Sequence, residues 1–158
     1  MNKLLTVPGN KMRAIALAVA SCILGLHALA ADNLQLNQHL DYQSDSQDGP
    51  LITGDNLSAG AVSGKPNYVI IYAEGCYNSK RQAKRSVNLY RSYHDRVNFV
   101  VIDLDQHPSA AQRALVKTFY KGYIPTVVIL DSKGASLYAQ SGEKDENALS
   151  SLLEEALR

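Results

Sequence analysis

The spacing of apolar residues changes several times along the chain, and each change marks an element. Residues 68–73 (Tyr-Val-Ile-Ile-Tyr-Ala) form an unbroken β-prone run, the pattern of a strand buried on both faces. From about Tyr77 to Tyr93 the period becomes helical, with Ala83, Val87 and Tyr90 on one face. Residues 97–103 predict a second strand. Ser109 is placed to cap a second helix reaching Tyr120, with Ala111, Leu115 and Thr118 in phase. Residues 126–130 predict a third strand, Asp131 to Gly134 a hairpin turn, and residues 135–139 the returning strand. A last helix spans about 145–157, with Leu149, Leu152, Leu153, Ala156 and Leu157 as its apolar stripe.

Upstream the pattern thins. Residues 51–53 predict a short edge strand, Asp55 the cap of a short helix through Val62, and residues 63–66 a break. Residues 31–50 hold Asp32, Asp41, Asp45 and Asp48 without a single Lys or Arg, and read as a poorly ordered acidic arm. From residue 51 to 158 the order is therefore strand, helix, strand, helix, hairpin, helix. The crossover helix makes the first two core strands parallel and the hairpin makes the last pair antiparallel. The expected fold is α/β, a three-layer α/β sandwich with a mixed central sheet.

The first thirty residues follow another logic. Lys3, Lys11 and Arg13 precede a small, apolar run over residues 14–30 that ends in Ala28-Leu29-Ala30. This is the pattern of a bacterial export signal cleaved after residue 30, which makes the mature protein periplasmic or secreted. Two alternatives compete with it. One is an uncleaved membrane anchor. The other is a lipoprotein site, because Val19-Ala20-Ser21-Cys22 resembles a lipobox. Only an uncleaved signal or a lipidated Cys22 would bring the membrane in as a partner.

The chain has 158 residues with 16 basic and 15 acidic side chains. That suits one domain, and the charge balance argues against nucleic acid as the partner. Loss of residues 1–30 leaves 13 basic against 15 acidic residues and Cys76 as the sole cysteine. Cys76 cannot then form an internal disulfide, so it is a free thiol, a mixed disulfide or an inter-chain bridge. His39, His94 and His107 match no metal-ligand spacing. Asp103, Asp105 and His107 gather at a strand end, where solvated loop residues explain them as well as a metal would. No metal and no cofactor is expected.

Two stretches resemble the thioredoxin-like superfamily. Ala73-Glu74-Gly75-Cys76-Tyr77-Asn78-Ser79-Lys80 resembles its active-site strand end and helix start, and Gly122-Tyr123-Ile124-Pro125-Thr126 resembles its second signature, which carries a cis proline. Gly142 before the last helix also fits. The resemblance implies a thioredoxin-like sandwich over residues 51–158, with Cys76 as nucleophile. It also implies that Ile124 offers backbone groups to an extended peptide beside Pro125, with Tyr77 and Tyr123 as an aromatic rim. Three positions depart from the family. Ser79 stands where the second cysteine belongs, Ile70 replaces the buried acid, and Gly75 replaces the aromatic residue before the cysteine.

A serine cannot attack a mixed disulfide, so the two-cysteine cycle cannot close. What remains is one cysteine at a helix start, where backbone N–H groups favour an anionic sulfur. Lys80 and Arg81 occupy the first turn, against the usual preference for acids there. Such a break beside a cysteine points to function, although a solvated basic face accounts for it equally. The catalytic candidates are Cys76, Ser79, Lys80 and Arg81. The substrate-binding candidates are Tyr77, Tyr123, Ile124 and Pro125.

Two functions follow. One is an exported monothiol protein acting in thiol–disulfide exchange, its partners being protein or low-molecular-weight thiols and disulfides. The other is a non-catalytic binding or chaperone-like module on the same fold. The acidic arm is expected to space the domain or extend into solvent. In a sharper alternative it lies over the basic helix start and screens the thiol.

Overall fold

The computed structural model describes residues 29–46 and 49–158. Cys22 and all but the last two residues of the expected export signal lie outside them. Two strands open the chain, β1 (Asp32–Leu36) and β2 (Ile52–Asp55). Next come β3 (Asn67–Tyr72), α1 (Tyr77–Tyr93), β4 (Asn98–Asp103) and α2 (Ala110–Phe119). The hairpin β5 (Thr126–Leu130) and β6 (Ser136–Ser141) precedes α3 (Glu146–Ala156).

The central sheet has the order β4-β3-β5-β6. β3 runs parallel to β4 and antiparallel to β5, so the sheet is mixed as expected. Strand residues alternate between faces. Tyr68, Ile70 and Tyr72 pack with Ala83, Val87, Leu149 and Leu153 in one core. Val69 and Ile71 pack in a second core with Val100, Ile102 and Val128, against which Leu115, Val116 and Phe119 of α2 lie. The result is three layers, with α1 and α3 on one face and α2 on the other.

Local chemistry accounts for the helix boundaries. Ser109 and Gln112 form a reciprocal capping box on α2, worth about 1 kcal/mol. Asp145 accepts from the N–H groups of Asn147 and Ala148 at the start of α3. The face of α2 differs from expectation, because Ala111 and Thr118 are exposed. Gln112 is the buried residue of this helix. Its amide donates to the carbonyls of Leu57 at 2.6 Å, Ala59 at 3.2 Å and Val101 at 3.1 Å. A polar side chain can stand in an apolar stripe when its hydrogen bonds are met inside.

The short helix expected after Asp55 does not form. Asn56 takes a left-handed φ of 51°. Side chains then satisfy the backbone that a helix would have paired. Gln112 holds the carbonyls of Leu57 and Ala59, Asn98 holds that of Gly60, and Asn67 holds both the N–H and the carbonyl of Val62.

The poorly ordered arm is also corrected. β1 pairs antiparallel with β2, placing Asp32 opposite Asp55 and Leu36 opposite Ile52. Leu34 is buried in the first core. Asn33 N–H donates to the Tyr90 hydroxyl at 2.8 Å, and that hydroxyl donates to the Asp32 carboxylate. The Tyr42 hydroxyl reaches the Leu51 carbonyl at 2.5 Å. A few apolar side chains suffice here because β2 and α1 supply the backbone and hydroxyl partners. Among the described residues no helix is long and apolar enough to cross a membrane.

Candidate functional site

Cys76 is the N-cap residue of α1, with extended backbone and no side-chain capping bond. Its thiol is free and partly exposed. The register explains which elements meet there. Ile71 pairs with Thr126, so the loop leaving β3 and the turn entering β5 share one end of the sheet. In that turn the Ile124–Pro125 peptide is cis. Thr126 Oγ1 donates to the Tyr123 carbonyl at 2.7 Å, and Gly142 N–H donates to the Pro125 carbonyl at 2.7 Å. Gly142 has a φ of 93°, a conformation that suits glycine. Pro125 is buried and Ile124 partly exposed, while Tyr123 stands 72% exposed at the rim. The sheet thus brings Cys76, Ile124, Pro125 and Tyr123 to one end.

The three candidates that follow Cys76 on α1 divide. Ser79 lies on the inward face of α1 one turn ahead of Ala83, and it is fully buried. Its hydroxyl has no hydrogen-bond partner among the described residues. Lys80 is also fully buried, and its ammonium turns away into the arm. It donates to the Asp41 carbonyl at 2.5 Å and to Ser46 Oγ at 2.9 Å. Arg81 pairs with Glu143, and its guanidinium lies 4.9 Å from the Tyr77 ring centroid. Arg85 reaches the other Glu143 oxygen at 2.8 Å.

The apparent violation at the helix start is resolved from outside the helix. α1 has no acid in its own first turn. The arm supplies one, because the Asp45 carboxylate accepts from Tyr77 N–H at 2.7 Å. An anion at a helix N-terminus is favourable by about 0.3–1 kcal/mol. The arm therefore crosses the start of α1. Asp41 is held below its usual range by the Ser44 hydroxyl and the Gln43 N–H. Beside the crossing, Tyr42, Tyr77, Arg81, Lys84 and Arg85 line an open groove of about 380 Å³. Lys84 Nζ lies 5.4 Å from the Tyr42 ring centroid.

The sequence placed Asp103 and Asp105 at a strand end but did not show that Glu74, just before the thiol, joins them. Glu74 is buried and accepts from Gln106 Nε2 at 2.7 Å. Asp105 accepts from Glu74 N–H at 2.8 Å and donates its own N–H to Asp103 at 3.0 Å. Burial pushes the Asp103 carboxyl up to about 7; the Asp105 N–H works against this, and neighbouring Glu74 adds to it. The available signal was an acid ending an otherwise apolar strand run. Among the described residues no group of three or more His, Cys, Asp or Glu side chains is placed to hold a metal.

No protein-family model and no curated protein matches the sequence. Similar folds are found among solved structures. A thioredoxin-like protein from Clostridium perfringens is 19% identical with a TM-score of 0.51, covering 61% of this chain and 74% of its own. Thioredoxin-2, a component of the malaria parasite's protein secretion machinery, is 20% identical with a TM-score of 0.50, covering 60% of this chain and 86% of its own. The fold is thioredoxin-like.

Proposed function

We propose that this is an exported monothiol protein that exchanges thiols and disulfides through Cys76. The observation that carries the reading is the partly exposed Cys76 thiol at the N-cap of α1, at the same sheet end as the Ile124–Pro125 turn. The Cys76 thiolate attacks one sulfur of a disulfide. A new S–S bond forms to Cys76, the old one breaks, and the departing sulfur leaves as a thiolate. A second thiol then attacks the adduct and restores Cys76. Each exchange is redox-neutral overall and needs no cofactor. With Ser79 three residues on, the resolving thiol must come from the partner.

Ile124 and Pro125 present backbone to an extended peptide, and Tyr77 and Tyr123 flank it. Arg81, with Lys84 and Arg85 in the neighbouring groove, favours disulfides that carry carboxylates. Lys80 acts as a positioning residue that anchors the arm. The leader pattern in residues 1–30 supports a periplasmic or secreted location.

Oxidised glutathione is the test substrate. The expected result is one glutathione per chain by mass, stable until free thiol is added, and lost entirely in Cys76→Ser. The protein should fail to turn over insulin disulfides with a dithiol reductant. Ser79→Cys should acquire an internal 76–79 disulfide and only part of that activity, since Ile70 still supplies no proton carrier. Absence of the glutathione adduct would favour the non-catalytic binding module.

A further inference from the structure

β3 and β4 both end at one cavity. Tyr72 and Asp103, paired across the two strands, line it. Its volume is about 250 Å³, and Ile52, Leu57, Val101 and Pro108 give it apolar walls. Asp103 is only 8% exposed, and its Oδ2 has no hydrogen-bond partner among the described residues. Such an unmet acceptor is costly. Glu74 and Asp105 crowd the same carboxyl, and no lysine or arginine lines the cavity among the described residues. The carboxyl ends of parallel strands are where open α/β sheets take ligands, and apolar walls with a few convergent polar groups are the usual form of such a site.

We propose that this cavity binds a small organic cation, a primary ammonium group on a compact apolar body. The ammonium pairs with the Asp103 carboxyl at the polar end of the cavity, and the body packs between Ile52, Leu57 and Val101. A hydrated metal fits poorly, because it needs several oxygen donors converging on one point. The size is suitable, since a dry cavity of roughly 150 Å³ holds benzene. Neither Cys76 nor Tyr123 lines the cavity, so the inference stands apart from the thiol chemistry.

Acid should weaken binding. The titratable groups facing Asp103 are Glu74 from the loop after β3, Asp105 and His107 from the loop after β4, and Tyr72 from β3. Protonation of Asp103 removes the attraction.

The test titrates the full chain with benzylamine and with benzyl alcohol, which has the same size and no charge. Calorimetry gives affinities, and amide shifts of Ile52, Leu57, Val101 and Gln106 give the location. At pH 8 benzylamine should bind at least tenfold more tightly than the alcohol, with the preference lost at pH 5.5. Asp103→Asn should keep the alcohol and lose the tenfold preference. Leu57→Trp, which fills the cavity, should lose both probes, and Cys76→Ser should lose neither. Equal affinities in the unmutated protein, a preference that survives Asp103→Asn, or no binding of either probe at millimolar concentration would overturn the proposal. The pH dependence and Leu57→Trp keep it testable if Asp103→Asn does not fold.

Discussion

The start of α1 lies a few residues after the end of β3, which pairs with the end of β4, yet the helix start and the strand ends treat charge in opposite ways. At the helix start, Lys80, Arg81 and Arg85 each find acceptors, and Asp45 arrives from the arm to meet Tyr77 N–H. At the strand ends, Glu74, Asp103 and Asp105 crowd together with Gln106 and backbone N–H groups as donors, and Asp103 Oδ2 is left unmet. A satisfied cluster builds structure: it fastens the arm across the helix. An unsatisfied one in a cavity is poised to take something else. Buried polar groups without partners are rare in native proteins, so the second cluster marks a place where stability has been given up.

The contrast can be broken most forcefully at Lys80. Lys80→Ala removes a fully buried stem and the ammonium that holds Asp41 and Ser46. The expected loss is about 2–4 kcal/mol in urea unfolding, with faster hydrogen exchange at Tyr77 N–H. Lys80→Met keeps the stem and should lose less. If Lys80→Ala matched the unmutated protein, the anchor would carry no stability.

The acidic side should respond with the opposite sign. Burial keeps Asp103 protonated up to about 7, against about 3.9 in an unfolded chain. Between these values the folded protein holds a proton that the unfolded chain has released. The contribution of this group to stability therefore falls as pH rises from about 4 to about 7. Asp103→Asn removes that cost. It should gain about 1–2 kcal/mol at pH 8, discounted from the full shift for solvent screening, and nothing at pH 4. Equal gains at both pH values would show that the carboxyl is not held neutral by its surroundings.

The smallest effect sharpens the role of the arm. Asp45→Asn weakens the acceptor for Tyr77 N–H by about 0.3–1 kcal/mol. If the arm screens the thiol, Cys76 alkylation should rise by roughly 2–5-fold at low salt and less at high salt. Identical rates for both proteins at every ionic strength would mean that the crossing leaves the thiol open.

What could be read from the chain alone were the elements whose signals are local. The unbroken run at residues 68–73, the 3.6-residue spacing of Ala83, Val87 and Tyr90, the cap at Ser109, and the turn at Asp131–Gly134 each depend on neighbours within a few positions. The pair of motifs around Cys76 and Pro125 then pointed to one end of a mixed sheet, and the register places both there. Tertiary structure decided everything that depends on a partner far along the chain. Lys80 meets Asp41 across 39 positions, Tyr77 meets Asp45 across 32, and Arg81 meets Glu143 across 62. Composition marked the arm as polar, but its order comes from Tyr90 and β2, which no local pattern reveals. Asp103 looked like the end of a strand. The isolation of its Oδ2 from solvent and from hydrogen-bond donors exists only once Ile52, Leu57 and Pro108 close around the side chain, because burial is a property of the packed chain and not of any one segment.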